Sequence, residues 1–452
     1  MCLFAAMIGY MVYFQVEQSK RLLGSPYNQR QIKKENNVVR GQILAGDRTT
    51  PLAYTEIGED GTENRVYPYG SLFAQVVGYS DYGGSGLETA QSYRLLESQS
   101  NLGNIMEQMQ NEIDGIKNMG DNVVSTLDVG LQQAASDALG DNKGAVVVLD
   151  AHTGEVLADV SKPGFDPNTV AEDWEDLNSD ESGSPFLNRA LQGLYAPGST
   201  FKMVTALAYL REHGTFDDFY FECNGSFTQG GFTIHCAGEV SHGVEDFADA
   251  FANSCNCAFA YMISNRMNES SLKETAESLL FNKDPDLLLP NAVSRFSFDQ
   301  GQGVELAMQT AIGQGNTLAT PVQMAMIAQA IANGGEMLRP IFVNEVMNAK
   351  GDTIRTEKIE SLGSVMSPEE AAALIPLMEE VVNRGTAMEL SDLGYQVAGK
   401  TGTAQYGDVE EDKAHSWFVG FSEVGDRDIA LAVIVEGGGN GIAPAVPVAR
   451  EI

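Results

Sequence analysis

Hydrophobic and polar positions alternate along this chain in blocks whose period changes from one segment to the next. The run G-A-V-V-V-L-D-A-H-T-G-E-V-L-A-D-V, from Gly144, predicts a β-hairpin: a Val-rich buried strand, a turn through His152 to Gly154, and a return strand. Just before it, Asp128 to Asp141 carries L-Q-Q-A-A-S-D-A-L, whose apolar residues recur at helical spacing. A domain boundary is expected there. Further on, Thr320 caps the run V-Q-M-A-M-I-A-Q-A-I-A-N, Pro321 opens it and Gly334-Gly335 ends it. Met324, Ile327, Ala328 and Ile331 share one face of that helix and read as core. Near the end, H-S-W-F-V-G-F and I-A-L-A-V-I-V-E predict consecutive strands joined by a polar turn at Gly425 to Asp428. The chain closes on P-V-A-R-E-I immediately after the last strand-like segment, and a closing helix is expected to have been lost there. Strands at both ends of this region, with helices between, predict an antiparallel sheet assembled from distant segments and so an α+β fold.

The preceding part is polar and mixed. From about residue 25 to 140 it holds N-V-V-R-G-Q-I-L-A-G-D-R (Asn37 to Arg48), a glycine-rich turn Tyr82-Gly83-Gly84-Ser85-Gly86-Leu87-Glu88, and a helical-looking run from Gln91 to Ile116. None of these carries catalytic chemistry alone. The first sixteen residues are uncharged, and Glu17, Lys20 and Arg21 follow. A spanning helix needs about 20 apolar residues, and a secretory signal has a basic start and a small-residue cleavage site. The stretch meets neither description; it is expected to be the outer part of a single membrane anchor, with a short buried helix as the alternative. The expected organisation is therefore 1–18 anchor, 19–140 N-terminal domain and 141–452 main domain.

Length changes little: 452 residues with 43% hydrophobic composition suit two domains, each with its own core. Charge excludes more. With 28 basic against 62 acidic residues the formal charge is -34, which rules against nucleic acid, since phosphate binding requires clustered Lys and Arg. A solvated acidic surface is the simplest account.

Candidate chemistry begins at Y-A-P-G-S-T-F-K, where Ser199 precedes Lys202 by three residues and shares its helix face. A serine hydroxyl needs a base to become a nucleophile. Lysine, with an ordinary pKa of about 10.4, serves as that base only when burial and neighbouring positive charge lower it. The apolar M-V-T-A-L-A that follows Lys202 offers the burial. The pattern S-x-x-K is weak alone: Ser270-Ser271-Leu272-Lys273 repeats it on a charged surface without partners. Two further strings lift the first copy, S-C-N at Ser254 to Asn256 and K-T-G-T-A at Lys400 to Ala404, the latter opening a strand that W-F-V-G-F can pair with.

In this order the three strings match the signature motifs of serine acyltransferases that bind penicillin, and the chain resembles the class B, monofunctional penicillin-binding proteins over nearly its whole length. R-G-Q-I-L-A-G-D-R and G-S-G-L-E are similar to that subgroup's N-terminal pedestal. The resemblance implies a peptidoglycan D,D-transpeptidase that crosslinks stem peptides through a serine acyl-enzyme, releases D-alanine and is acylated by β-lactams. It makes Ser199 the nucleophile and Lys202 its base. Ser254 would relay a proton to the leaving D-alanine, and Asn256 would hold the Lys202 ammonium and the substrate amide. Lys400 would supply a second positive charge, with Thr401, Gly402 and Thr403 on the strand that binds the terminal carboxylate. Backbone N–H groups of Ser199 and Thr403 would form the oxyanion hole. It also implies a single-pass protein of the cell membrane with its catalytic domain outside the cytoplasm, and a polytopic membrane glycosyltransferase as partner. The chemistry itself requires no cofactor.

Five cysteines complete the inventory, Cys2, Cys223, Cys236, Cys255 and Cys257. The spacing C-x12-C-x5-H-x12-C through Cys223, Cys236, His242 and Cys255 offers a Cys3His set suited to tetrahedral zinc. Some class B relatives carry zinc near the S-x-N motif, which strengthens that expectation. A disulfide, Cys223 with Cys236 or Cys236 with Cys255, is the rival, and Cys257 and His235 are left without a role. His415 and Trp417 read as structural, and G-G-G-N-G at Gly437 to Gly441 as a turn between strands. Two other functions compete with this one, β-lactam hydrolysis and a catalytically idle scaffold of a cell-wall polymerase. The E-x-L-N string needed for hydrolysis, Glu175 to Asn178, precedes Ser199 instead of following Ser254.

Overall fold

A computed structural model describes residues 2–13, 37–98, 105–406, 414–424, 427–439 and 444–452. They fall into two compact units. The first comprises Met1–Asp128, Gly164–Phe186 and Phe342–Lys358; the second comprises Val129–Pro163, Leu187–Ile341 and Ile359–Ile452. The division is therefore not a single cut near residue 140. Val343–Met347 pairs with Asn122–Ser125 in one sheet, and Trp174 stacks on Tyr82, so both later segments find their partners in the first unit. Residues 129–139, expected at the end of the N-terminal domain, form a helix of the second.

In the first unit six strands lie in the order 353–356, 343–347, 122–125, 43–44, 51–57, 63–66. Leu44, Val124 and Met347 pack together in its core. The two strings singled out in the sequence meet here around one carboxylate. Glu88, from G-S-G-L-E, is fully buried between Arg40 of R-G-Q, 2.6 Å away, and Arg65, 2.7 Å away. The helical run expected from Gln91 to Ile116 is interrupted. Ser92–Leu95 and Ile105–Asp114 are separate helices, with 99–104 outside the described residues. Cys2–Tyr13 is a 12-residue helix; residues 14–18 of the expected anchor lie outside the described residues.

The second unit runs α1 (Val129–Leu139), β1 (Gly144–Asp150), β2 (Val156–Lys162), α2 (Lys202–His213), α3 (Asn256–Asn265), α4 (Pro321–Ala332), α5 (Pro368–Asn383), β3 (Val397–Gln405), β4 (Ala414–Val424), β5 (Arg427–Val435) and α6 (Ala445–Glu451), with further helices and strands between. Its five-stranded sheet is antiparallel throughout, in the order β3-β4-β5-β1-β2. The predicted hairpin is β1 and β2, and its far neighbour β5 comes from the other end of the chain. Helices α1 and α6 pack together on the sheet, and α4 packs on strands β1, β4 and β5 beside α5.

Helix α4 begins as its sequence predicts, with Thr320 accepting a hydrogen bond from the Gln323 backbone and Pro321 at the first position. It differs in being buried on every side from Pro321 to Ile331, not along one face. Two amides make this tolerable. Gln323 donates to the Leu279 carbonyl, and Gln329 donates to the Ala151 carbonyl while accepting from the Leu338 N–H. Helix α6 is a further departure: the closing P-V-A-R-E-I, where the loss of a helix was expected, is itself helical. Its Pro447 falls in the first turn, where a missing N–H costs nothing. The glycine run before it thus leads to a helix and not to a strand; its residues 440 and 441, and 425–426 of the turn expected between β4 and β5, lie outside the described residues.

Candidate active site

Ser199 lies in a short 3-10 turn, Gly198–Phe201, that runs directly into α2. The expectation was a continuous α-helix. The tighter turn brings residues three apart directly into line, and Lys202, first residue of α2, donates its backbone N–H to the Ser199 carbonyl. Strand β3 lies against this turn. Gly198 has φ +53, and a Cβ there would run into the Thr403 carbonyl; a Cβ on Gly402 would meet Thr200 Cγ2 at 2.9 Å and the Pro197 carbonyl at 3.0 Å. Glycine at both positions lets the strand come this close. Trp417, opposite Gly402 on β4, closes the far side by donating Nε1–H to the Ala196 carbonyl at 3.1 Å.

The Lys202 side chain is fully buried and ties the first motif to the second. Its Nζ donates to the Ser254 carbonyl at 2.7 Å, the Ser254 hydroxyl at 3.1 Å and Asn256 Oδ1 at 2.7 Å. Ser254 sits just ahead of α3 with φ +55, a left-handed conformation unusual for a side chain other than glycine's. Strain of this kind persists only where the surroundings fix it. Here the Lys202 ammonium fixes its carbonyl. Burial lowers the Lys202 pKa to about 8, against the opposing pull of the Cys255, Cys236, Cys257 and Glu245 charges.

Lys400, also fully buried, is held well below its ordinary pKa, first by burial and then by the Lys202 charge. Its Nζ donates to the Thr401 carbonyl at 3.2 Å and lies 5.7 Å from the centre of the Phe251 ring. Thr401 and Thr403 follow on β3, opposite Phe418 and Ser416. Two neighbours had no signal in the sequence: Thr386, whose hydroxyl is 2.5 Å from that of Thr401, and Gln314, which donates to the Thr403 carbonyl at 3.4 Å. Neither belongs to a recognisable string. Ser199, Ser254, Asn256 and Thr403 are partly exposed, whereas both lysines are sealed behind them. The arrangement can present a hydroxyl and a dehydrated amine to a ligand from the open side. His415, stacked on Tyr406 at 4.2 Å, and Trp417 pack as structural residues. Glu175 of the E-x-L-N string belongs to the first unit.

The Cys3His set also converges. Cys223 ends the strand Tyr220–Cys223, Cys236 follows Phe232–His235, His242 precedes Gly243–Asp246, and Cys255 caps α3. Their donor atoms all lie within 4.8 Å of one another. Tetrahedral zinc, with Zn–S near 2.3 Å and Zn–N near 2.0 Å, requires S···S edges of about 3.8 Å and S···N edges of about 3.5 Å. The observed separations are 3.7 Å for Cys223–Cys236, 3.7 Å for Cys236–Cys255 and 3.4 Å for Cys223 Sγ to His242 Nδ1. All four buried cysteines are free thiols, and a disulfide would need sulfurs about 2.05 Å apart. The set could thus hold a structural zinc ion. Cys257, left without a role by its spacing, stands 3.4 Å from Cys236 as an additional sulfur. Hydrogen bonds from Cys255 and Cys257 drive the Cys236 thiol far below its usual pKa. His235 is exposed and pairs with Glu239 at 3.6 Å.

Two known families match successive stretches of the chain. Residues 144–452 match the family described as penicillin binding protein transpeptidase domain, and residues 40–123 match the penicillin binding protein A dimerisation domain. The peptidoglycan D,D-transpeptidase PbpA of Mycolicibacterium smegmatis is 32% identical over 481 residues, covering 100% of this chain and 95% of the relative. Among solved structures, penicillin-binding protein A from Mycobacterium tuberculosis as its penicillin G acyl-enzyme superposes with a TM-score of 0.82 at 30% identity, over 92% of this chain and 98% of that one. The D,D-transpeptidase domain of an Eggerthella lenta peptidoglycan glycosyltransferase gives 0.80 at 32% identity, over 91% and 97%.

Proposed function

We propose that Ser199 is the acylated residue, on the premise that this chain belongs to the penicillin-binding protein transpeptidase family: it is a class B peptidoglycan D,D-transpeptidase, acylated by β-lactams. The observation that carries the assignment is the buried Lys202 amine, bonded to Ser254 and Asn256 and one turn from Ser199. A lysine lowered to about 8 is in part neutral near pH 7 and can take the Ser199 proton.

Ser199 Oγ attacks the carbonyl of the penultimate D-alanine of a stem peptide, and Lys202 accepts the hydroxyl proton. The tetrahedral oxyanion is met by the backbone N–H groups of Ser199 and Thr403; loss of one such donor costs about 3 kcal/mol. Collapse breaks the peptide bond. The proton passes from Lys202 through the Ser254 hydroxyl to the departing D-alanine nitrogen, which leaves an ester on Ser199. The amine of a second stem peptide then attacks that ester, Lys202 takes the amine's proton, and the proton returns to Ser199 Oγ. Asn256 orients Lys202 and the donor's amide, while Lys400, Thr401 and Thr403 receive the terminal carboxylate beside Gly402. Intact-protein mass after benzylpenicillin tests the assignment. A lasting adduct on the native chain and none on Ser199→Ala is expected; an adduct that survives the substitution refutes it.

The same reading makes residues 1–18 a single-pass anchor in the cell membrane, the rest of the first unit the pedestal and the second unit an extracytoplasmic catalytic domain. The uncharged helix Cys2–Tyr13 supports the anchor, although among the described residues no helix is long and apolar enough to cross a membrane. The partner is a polytopic membrane glycosyltransferase, docked on the pedestal, whose strands supply the stem peptides. Protease digestion of intact protoplasts should remove the catalytic domain; full protection refutes the placement.

Zinc held by Cys223, Cys236, His242 and Cys255 anchors the wall that carries Ser254 and Asn256. The near-tetrahedral edges support this reading. Protein purified without added zinc should contain close to one equivalent; below about a tenth, with cysteines silent to Ellman's reagent, a disulfide takes its place.

A further inference from the structure

The helix Val304–Ala311 runs out into a turn, Gly313-Gln314-Gly315, that abuts the Ser199 turn. The Gly313 carbonyl accepts the Gly198 backbone N–H at 2.9 Å, and the Ala311 carbonyl accepts the Thr205 hydroxyl of α2 at 2.9 Å. Gly313 has φ +75, and a Cβ there would collide with the Gly198 carbonyl oxygen. That carbonyl and the Ser199 N–H belong to one planar trans peptide and point in opposite directions. Gly313 therefore backs the peptide unit whose N–H is the first donor of the oxyanion hole. The next residue reaches the second donor. Gln314 Nε2 donates to the Thr403 carbonyl at 3.4 Å, the amide nitrogen being the only side-chain donor it has. In an extended strand the N–H and C=O of one residue point to the same side, so a hold on the Thr403 carbonyl also sets the aim of the Thr403 N–H. The Gln314 backbone is itself fixed, its N–H on the Gln309 carbonyl at 2.9 Å.

We propose that Gln314 is a positioning residue of the oxyanion hole, holding the β3 edge at Thr403 in fixed register with the Ser199 peptide that Gly313 backs. This rests on the reading of Ser199 as the nucleophile and of the Ser199 and Thr403 N–H groups as the hole. Two successive residues of one turn thus brace both donors, and a side chain supplies the half of the brace that reaches β3. Gln314 acts through Thr403 and not on the reacting atoms. Donors that stabilise a developing oxyanion must already be in place when it forms. Slack in one of them is felt in the transition state and hardly at all in the first, noncovalent complex.

Gln314→Met in the full chain keeps the reach of the side chain and removes its donor. Stopped-flow acylation by a fluorescent penicillin separates the noncovalent dissociation constant Ks from the acylation rate constant k2. The k2 should fall about 10- to 100-fold, less than the roughly 10²- to 10³-fold that follows loss of a hole donor itself, with Ks within twofold of the native value. A second probe reads the hole directly. Phenylacetamidomethylboronic acid adds its boron to Ser199 Oγ, the hydroxyl proton passing to Lys202, and presents a boron hydroxyl to the hole. Its dissociation constant should rise by about the factor lost in k2. Native k2, a change confined to Ks, or a slower k2 with native boronate affinity each overturns the proposal and leaves acylation at Ser199 standing. A native chain that forms no adduct, or an adduct that survives Ser199→Ala, overturns the reading beneath it as well. Should Gln314→Met not fold by circular dichroism, Gln314→Glu, of the same shape but without a donor at neutral pH, decides by the same measurements.

Discussion

The pH dependence of acylation is the sharpest test of the site, because it depends on a property of Lys202 set by the fold. An ordinary lysine near 10.5 would be neutral in only about one molecule in 3,000 at pH 7. At about 8, Lys202 is neutral in about one in eleven, a gain of roughly 300-fold in available base, equivalent to ~3.4 kcal/mol. Burial is the leading cause, and with the side chain 0% exposed no solvent screening reduces it. The second-order rate constant for acylation by a fluorescent penicillin, measured from pH 6 to 10 at constant ionic strength, should rise about tenfold from pH 6 to 7. It should bend near 8 and flatten above 9. Lys202→Arg, which keeps the charge but cannot act as a base, should lose about 10²- to 10⁴-fold. A profile flat from pH 6 to 9, or a midpoint at 10 or higher, would refute the reasoning; circular dichroism across the range excludes unfolding as the cause.

Three further outcomes follow from other places in the fold. Gly402→Ala should push β3 away from Thr200 and Pro197 and cut acylation by about 10²-fold while leaving the melting temperature within a few degrees; native acylation would show that the close approach is dispensable. Asp159 is buried with its pKa raised to about 7 by burial, against a hydrogen bond from Asn188, and its Oδ1 has no hydrogen-bond partner among the described residues. The folded state therefore keeps a proton that the unfolded chain, near 3.9, releases, so stability falls as pH rises from about 4 to 7. Asp159→Asn should stabilise by up to ~4 kcal/mol at pH 8 and little at pH 4 in urea unfolding, and an equal effect at both would contradict the shift. Glu88→Gln leaves Arg40 and Arg65 buried without their counter-charge and should cost the first unit ~3–5 kcal/mol; an unchanged thermal unfolding profile would mean the triad is replaceable.

The three strings that the fold brings together were legible because each is contiguous and its residue types suit the proposed chemistry. The antiparallel sheet was legible because Val-rich and Ile-rich runs at both ends of the main domain needed partners. What escaped has physical reasons. The 3-10 turn at Ser199 depends on how closely β3 passes, a distance no local pattern encodes. Full burial of α4 was hidden by Gln323 and Gln329, polar letters that serve as internal hydrogen-bond partners for distant carbonyls. The return of 343–356 to the first unit is a long-range pairing of short strands, and α6 is only 7 residues long with a proline inside. Thr386 and Gln314 reach β3 from segments with no motif. Cys257 looked idle in spacing because the fold, and not its interval along the chain, brings it to the cluster.

Strand order also governs when this protein can finish folding. Strand β1 sits between β2 and β5, and β5 is made roughly 280 residues after β1 ends. At 5–20 residues per second, that is about 15–60 s in which one edge of G-A-V-V-V-L-D has no neighbour. An unpaired, flat, apolar edge is a template for strands of other chains. The nascent enzyme thus depends on being kept apart from its siblings until its last strands emerge. Truncations that remove β5 are expected to aggregate rather than to yield a smaller active domain.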